Sequence, residues 1–120
     1  MQTGHSITVI CEKGNDIASW STNGGNPGVI KAQKGDTVSF TIDAPGTIVQ
    51  ATLLSGPREQ KCSGPLFGGN PIDLMKKVPL KVGDSVGRWG FAIVIEAQQD
   101  GISNFYFLPD PELEVGSTGS

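Results

Sequence analysis

A chain of 120 residues that is 37% hydrophobic and 18% charged has the composition of a globular domain, and at that length one core can remove roughly 60–70% of the unfolded surface from water. Its 9 basic and 12 acidic side chains give a net charge of −3, with no Lys/Arg cluster to neutralise a row of phosphates, which argues against nucleic acid as a partner. The 17 glycines and 8 prolines leave little room for long helices and favour short strands joined by turns.

The opening MQTGHSITVICEKGN lacks a basic region, and its apolar run, Ile7 to Cys11, is too short for the core of a signal peptide. No segment approaches the roughly twenty apolar residues of a membrane span. The expectation is a protein that does not enter the membrane, cytoplasmic as written, and secreted or periplasmic if a signal peptide was removed.

Ile7, Val9 and Cys11 fall on one face of a half-buried strand, and Ile17 to Trp20 forms a short second one. Ser21 to Gly28, STNGGNPG, contains only turn formers and is a loop. Val29 to Ala32 resumes extended structure. Lys34-Gly35-Asp36 is a turn signal, after which Val38, Phe40 and Ile42 share one face, and Thr37, Ser39 and Thr41 the other. Ala44-Pro45-Gly46 reverses the chain into Thr47 to Leu54, an apolar run suited to a central strand.

From Ser55 to Lys77 strand periodicity disappears, leaving at most one helical turn near Ile72 to Lys76. An irregular connection of this length is either functional or mobile in a compact domain. Val78 to Val82 leads to Gly83-Asp84, an echo of Gly35-Asp36 that reads as a second strand start rather than an internal duplication. Trp89, Phe91, Ile93 and Ile95 then alternate with small or apolar residues, as in a strand at the middle of a sheet. Gln98 to Gly101 is a hairpin turn, Asn104 to Leu108 its return strand, and Pro111 to Val115 the last strand.

About eight short strands without helices indicate an all-β fold, an antiparallel two-sheet sandwich with one long irregular loop. The expected organisation is a single domain over residues 1–115 with a flexible tail at 116–120.

KAQKGDTVSFTID, followed late in the chain by GRWGFAIVIEAQQDG, resembles the cupredoxin-like β-sandwich proteins over about two thirds of the chain. The ending FYFLPDPELEV resembles small bacterial proteins of the same sandwich type that have no established activity. The resemblance implies the fold. A blue-copper centre needs two imidazoles and a thiolate, whereas this chain has one histidine, His5, and no His, Cys or Met in its last strands. No copper site and no other cofactor is therefore expected. An immunoglobulin-like sandwich is the alternative topology.

Catalytic constellations are absent from the sequence, so a non-enzymatic protein is expected. His5 is a lone imidazole near a terminus. Cys11, on the apolar face of its strand, reads as a buried small hydrophobe in a reducing compartment, and Cys62, beside Lys61 and near Arg58, reads as structural or incidental. A disulfide between them is the alternative, closing a loop of about fifty residues for roughly 4 kcal/mol.

The primary functional expectation is a binding or assembly module, with self-association as its natural form. Its contact surface is expected in the Ser55–Lys77 loop, the Ser21–Gly28 loop or an open sheet edge, with Trp20, Arg58, Leu66 and Phe67 as contact residues. For Phe67 the alternative is a plug closing one end of the sandwich. A second reading is a small metal or redox protein using Cys62 with Glu59, or the carboxylate row Asp110, Glu112 and Glu114. The same row also reads as a charged sheet edge that discourages aggregation. A third is carbohydrate recognition through Trp20 and Phe67.

Overall fold

A computed structural model describes residues 4–22, 28–60, 62–83, 86–109 and 111–116. Expectations for the middle of the first loop, for Asp84, for Asp110 and for the tail beyond residue 116 lie outside the described residues. The strands are β1 (Gly4–Glu12), β2 (Asn15–Ser21), β3 (Val29–Gln33), β4 (Thr37–Asp43), β5 (Thr47–Pro57), β6 (Ile72–Asp73), β7 (Leu80–Lys81), β8 (Gly87–Gln99), β9 (Ile102–Leu108) and β10 (Glu112–Gly116). A single 3-10 turn at Leu74–Lys76 is the only helical element among the described residues. The excess over the expected number comes from β6 and β7, which are too short to show a period in sequence.

The long strand β8 organises the sheet. Along one edge it pairs with β5 from Gln98↔Thr47 to Trp89↔Pro57. Its other edge is shared by β10 at Gly87–Gly90 and by β9 at Ile93–Gln99. Beyond β10 lies β3, paired in parallel from Glu112↔Val29 to Gly116↔Gln33. Through Ile17↔Phe107 β9 meets β2, which continues through β1 and β4 to β7. β1 and β4 run parallel from Gly4↔Thr37 to Ile10↔Asp43.

The fold is thus all-β with mixed pairing, and this corrects the expectation of a purely antiparallel arrangement. Alternating side chains specify which face of a strand is buried. They carry no information on the direction of a neighbour brought in by a long crossover.

The inward residues of these strands form one core, which includes Ile7, Val9, Val38, Leu53, Ile93, Ile95 and Leu113. Phe40 of β4 meets Phe91 of β8 edge to face at 5.8 Å, so the β1–β4 layer packs on the β5–β8 layer. This is compatible with a β-sandwich. The two layers are joined through β2 and β9, whereas on the opposite side the short strands β7 and β6 pair with the outer edges of β4 and β5.

The turn before β4 is held as its sequence suggests. Gly35 takes φ 80°, a conformation without steric cost only for glycine, and Asp36 Oδ2 accepts from the Gln33 amide at 2.9 Å. The turn also has a long-range role. Asp36 is buried, its Oδ2 lies 2.9 Å from His5 Nε2, and its carbonyl accepts from Val82 N at 2.8 Å. One buried carboxylate therefore ties the start of β1 to this turn, and the Asp36 carbonyl ties the turn to Val82 beyond β7.

Candidate functional site

The long loop turns most of its large apolar residues inward, Met75 being the exposed one. Leu66 is 2% exposed, and Cys62 and Leu74 are buried with it. Ser55 Oγ accepts from Leu66 N at 2.9 Å, Asn70 exchanges two hydrogen bonds with the Ser55 backbone, and Trp89 Nε1 donates to Gly64 O at 3.0 Å. Phe67 is half-buried, edge to face with Phe40 at 6.4 Å, the position of a plug. Trp20 is buried in the core. Of the four expected contact residues, Arg58 alone is exposed.

Both described cysteines are buried free thiols. Burial, with a smaller contribution from the nearby Asp43 carboxylate, pushes the Cys11 thiol up to about 11, which disfavours the thiolate needed for nucleophilic or metal chemistry. Cys62 Sγ lies 3.3 Å from the Glu59 carbonyl and 3.4 Å from that of Arg88, as an S–H donor. Gly87 is bare beneath it, since a Cβ there would lie 2.8 Å from Cys62 Cβ.

The carboxylates of the last strand are not on an edge, because β10 is paired on both sides. Their partners are cationic. Arg88 Nη2 lies 3.2 Å from Glu114, Arg88 Nη1 3.7 Å from Glu112, and Arg58 Nε 3.8 Å from Glu112. Gly90 allows this, as a side chain there would collide with the Arg58 guanidinium. Among the described residues no group of three or more His, Cys, Asp or Glu side chains is placed to hold a metal ion. No described helix is long and apolar enough to cross a membrane.

The outward face of β8 and its neighbours carries the surface that sequence reasoning missed. Residues directly opposite each other share a face, and the pairs Ile17↔Phe107, Phe107↔Val94 and Val94↔Thr52 set one row across β2, β9, β8 and β5. Phe105 lies one step along β9 opposite Glu96, and Leu54 one step along β5 opposite Ala92. Ile17, Leu54, Phe105 and Phe107 are 55%, 48%, 50% and 43% exposed.

A polar rim closes one end of this patch: Gln98 Nε2 donates to Ser103 Oγ, which donates to Glu96 Oε2 at 2.9 Å. The Arg–Glu group lies at the other end. Scattered exposed apolar residues need no explanation, but a row across four strands, rimmed by polar groups, is the pattern of an interaction surface. Its sequence signal is in Phe105-Tyr106-Phe107, where successive aromatics fill both faces of one strand although only Tyr106 is needed by the core.

No protein-family model matches the chain. No curated protein matches it at a significant level.

Proposed function

We propose that this protein is a non-enzymatic binding and assembly module on a cupredoxin-like sandwich without copper ligands, and that its contact surface is the outward face of β2, β9, β8 and β5. The observation that carries the reading is the row of exposed Ile17 and Phe107 with half-buried Val94, and exposed Phe105 and Leu54 beside it. Large rigid aromatics at the centre of a polar rim are the side chains from which most protein–protein binding energy is drawn. The two phenylalanines also stand on a sheet, so little conformational entropy is lost when they are covered.

The partner the face fits is another protein with an apolar surface of its own. The test is a Phe105→Ser, Phe107→Ser double variant compared with the parent for binding of a hydrophobic fluorescent dye and for retention of the fold by circular dichroism. The expected result is an unchanged spectrum with loss of most dye binding. A parent protein that binds no dye, or a variant that binds it equally well, would remove this face as the contact surface.

A further inference from the structure

The open side of the fold carries a second, independent surface. β4 is paired with β1 along its whole length, but β7 covers its other edge only at Thr37↔Lys81 and Val38↔Leu80. The covering strand ends where the chain reaches Pro79, which has no N–H to give to the ladder. From Ser39 to Asp43 the outer edge of β4 has no strand partner among the described residues.

Beside that edge lies a groove of about 880 Å³ between the layers, lined among others by Phe40, Ile42, Ile48, Ile72, Leu74 and Val78. Phe40 and Ile42 are only half-buried, and Val78 is exposed.

The register identifies what fits this edge. Because Val82 N donates to the Asp36 carbonyl, the even-numbered residues of β4 direct their backbone groups toward the β7 side, in the two-residue alternation of antiparallel pairs. Phe40 and Ile42 therefore present N–H and C=O groups along the uncovered stretch. An antiparallel copy of β4 can satisfy both residues in one register: Phe40 opposite Ile42 of the second copy, Ile42 opposite Phe40, and Thr41 opposite Thr41 on the twofold axis. Centring on Phe40 would set Ile42 against Val38, which already pairs with Leu80. Centring on Ile42 would draw in Ala44, where the chain has left the strand.

Charge agrees with this register. Thr37, Ser39, Thr41 and Asp43 lie on one face of β4, and Lys81 shares that face through its pairing with Thr37. In the paired copies Asp43 would lie opposite Ser39, in line with the second copy's Lys81 and two residues from it, about 7 Å between Cα atoms. Both side chains are exposed, and the twofold axis forms the ion pair twice. On the inward face, Phe40 and Ile42 of the two copies become cross-strand aromatic and β-branched pairs that close the mouth of each groove.

We infer that two copies of this chain associate through their β4 edges, in a twofold antiparallel pairing centred on Thr41. The interface is separate from the apolar face assigned above, and the dimer displays that face twice, which raises avidity for any partner offering repeated sites.

The experiment is native mass spectrometry with sedimentation of the parent, Thr41→Lys, Asp43→Lys, Lys81→Asp and the Asp43→Lys, Lys81→Asp double variant. These exposed positions leave the core intact, and circular dichroism checks that each variant is folded. The parent should be dimeric. Thr41→Lys places two ammonium groups opposite each other and should weaken the dimer on the order of tenfold or more. Each single charge reversal should weaken it less, and the double variant should restore it.

In a second arm, a Thr41→Cys variant treated with oxidised glutathione should form a disulfide-linked dimer, since opposed non-hydrogen-bonded residues lie within disulfide reach. A Ser19→Cys variant, on the exposed side of β2, should not. A monomeric parent at submillimolar concentration would overturn the inference, as would a dimer indifferent to Thr41→Lys and to the charge exchange. Neither outcome would alter dye binding at Phe105 and Phe107, so failure here and failure of the contact face are distinguishable.

Discussion

Along the outward face of β8 the side chains run Arg88, Gly90, Ala92, Val94, Glu96 and Gln98, and its two halves have opposite character. At the start, next to β10, the surface is built of paired charges: Arg88 and Arg58 with Glu112 and Glu114. Toward the end, next to β9, it is built of exposed aromatics. The inward face does not change in the same way, since Trp89, Phe91, Ile93 and Ile95 are all buried in one core. One strand thus supports two surfaces because its edge changes neighbour from β10 to β9, and folding requirements explain only the first. Paired charges are an ordinary solvated surface, whereas exposed phenylalanines invite aggregation unless something covers them.

If the two halves differ only outward, truncating the core beneath either should be equally costly. Leu113 lies under the charged half and Ile95 under the aromatic half, and each is 0% exposed. Leu113→Ala and Ile95→Ala should each lower the unfolding free energy by about 2–5 kcal/mol, as for other buried aliphatic residues. Urea titration followed by tryptophan fluorescence measures this. A loss well under 1 kcal/mol for one of them would mean that its half does not rest on the shared core.

The inward side also offers a calibration by pH. Cys11 is raised from 9.0 to about 11 by burial and then by Asp43. Its folded pKa is above its unfolded value, so the associated stability is fully present below pH 9.0 and is lost as pH rises through about 11. That loss is on the order of 2 kcal/mol. A Cys11→Ala variant starts less stable from the lost packing, and its stability should fall less steeply over that interval than the parent's. Thermal melts across the range measure the difference, and parallel curves would show that the thiol is not sequestered.

Much of the framework is legible in the sequence wherever one strand reports on itself. Ile7, Val9 and Cys11 are buried in turn, Val38 leads a strand after the Gly35-Asp36 turn, and β8 is central with Trp89, Phe91, Ile93 and Ile95 inward. The helical turn expected near Ile72 to Lys76 is the 3-10 turn Leu74–Lys76.

What the sequence conceals depends on pairs of distant segments. The parallel pairing of β1 with β4, the meeting of Ile17 with Phe107, and the burial of Leu66 beside Ser55 each require the fold to be known. His5 shows the same limit: a lone imidazole in sequence, it lies against a buried carboxylate from a turn more than two strands away. Asp36 is recognisable in advance as a turn residue, but not as the partner of β1.

The charged half is where the smallest effects are expected. Its side chains are 30–43% exposed, and exposed ion pairs contribute about 0–1 kcal/mol each because water and salt screen them. Arg88 and Glu114 are the closest pair at 3.2 Å, while both contacts of Glu112 exceed 3.5 Å. Glu114→Gln should therefore cost more than Glu112→Gln, each below about 1 kcal/mol, and both losses should shrink in molar salt. Gly90→Ala adds a structural reading of the same network. Its new methyl group would push against the Arg58 guanidinium, a flexible chain end, so the expected cost is that of moving one partly exposed side chain, about 0–1 kcal/mol. Chemical denaturation in urea at low and high salt resolves these values. A loss of several kcal/mol for Glu114→Gln, insensitive to salt, would mark the charged half as a buried functional network and erase the distinction between the two halves of β8.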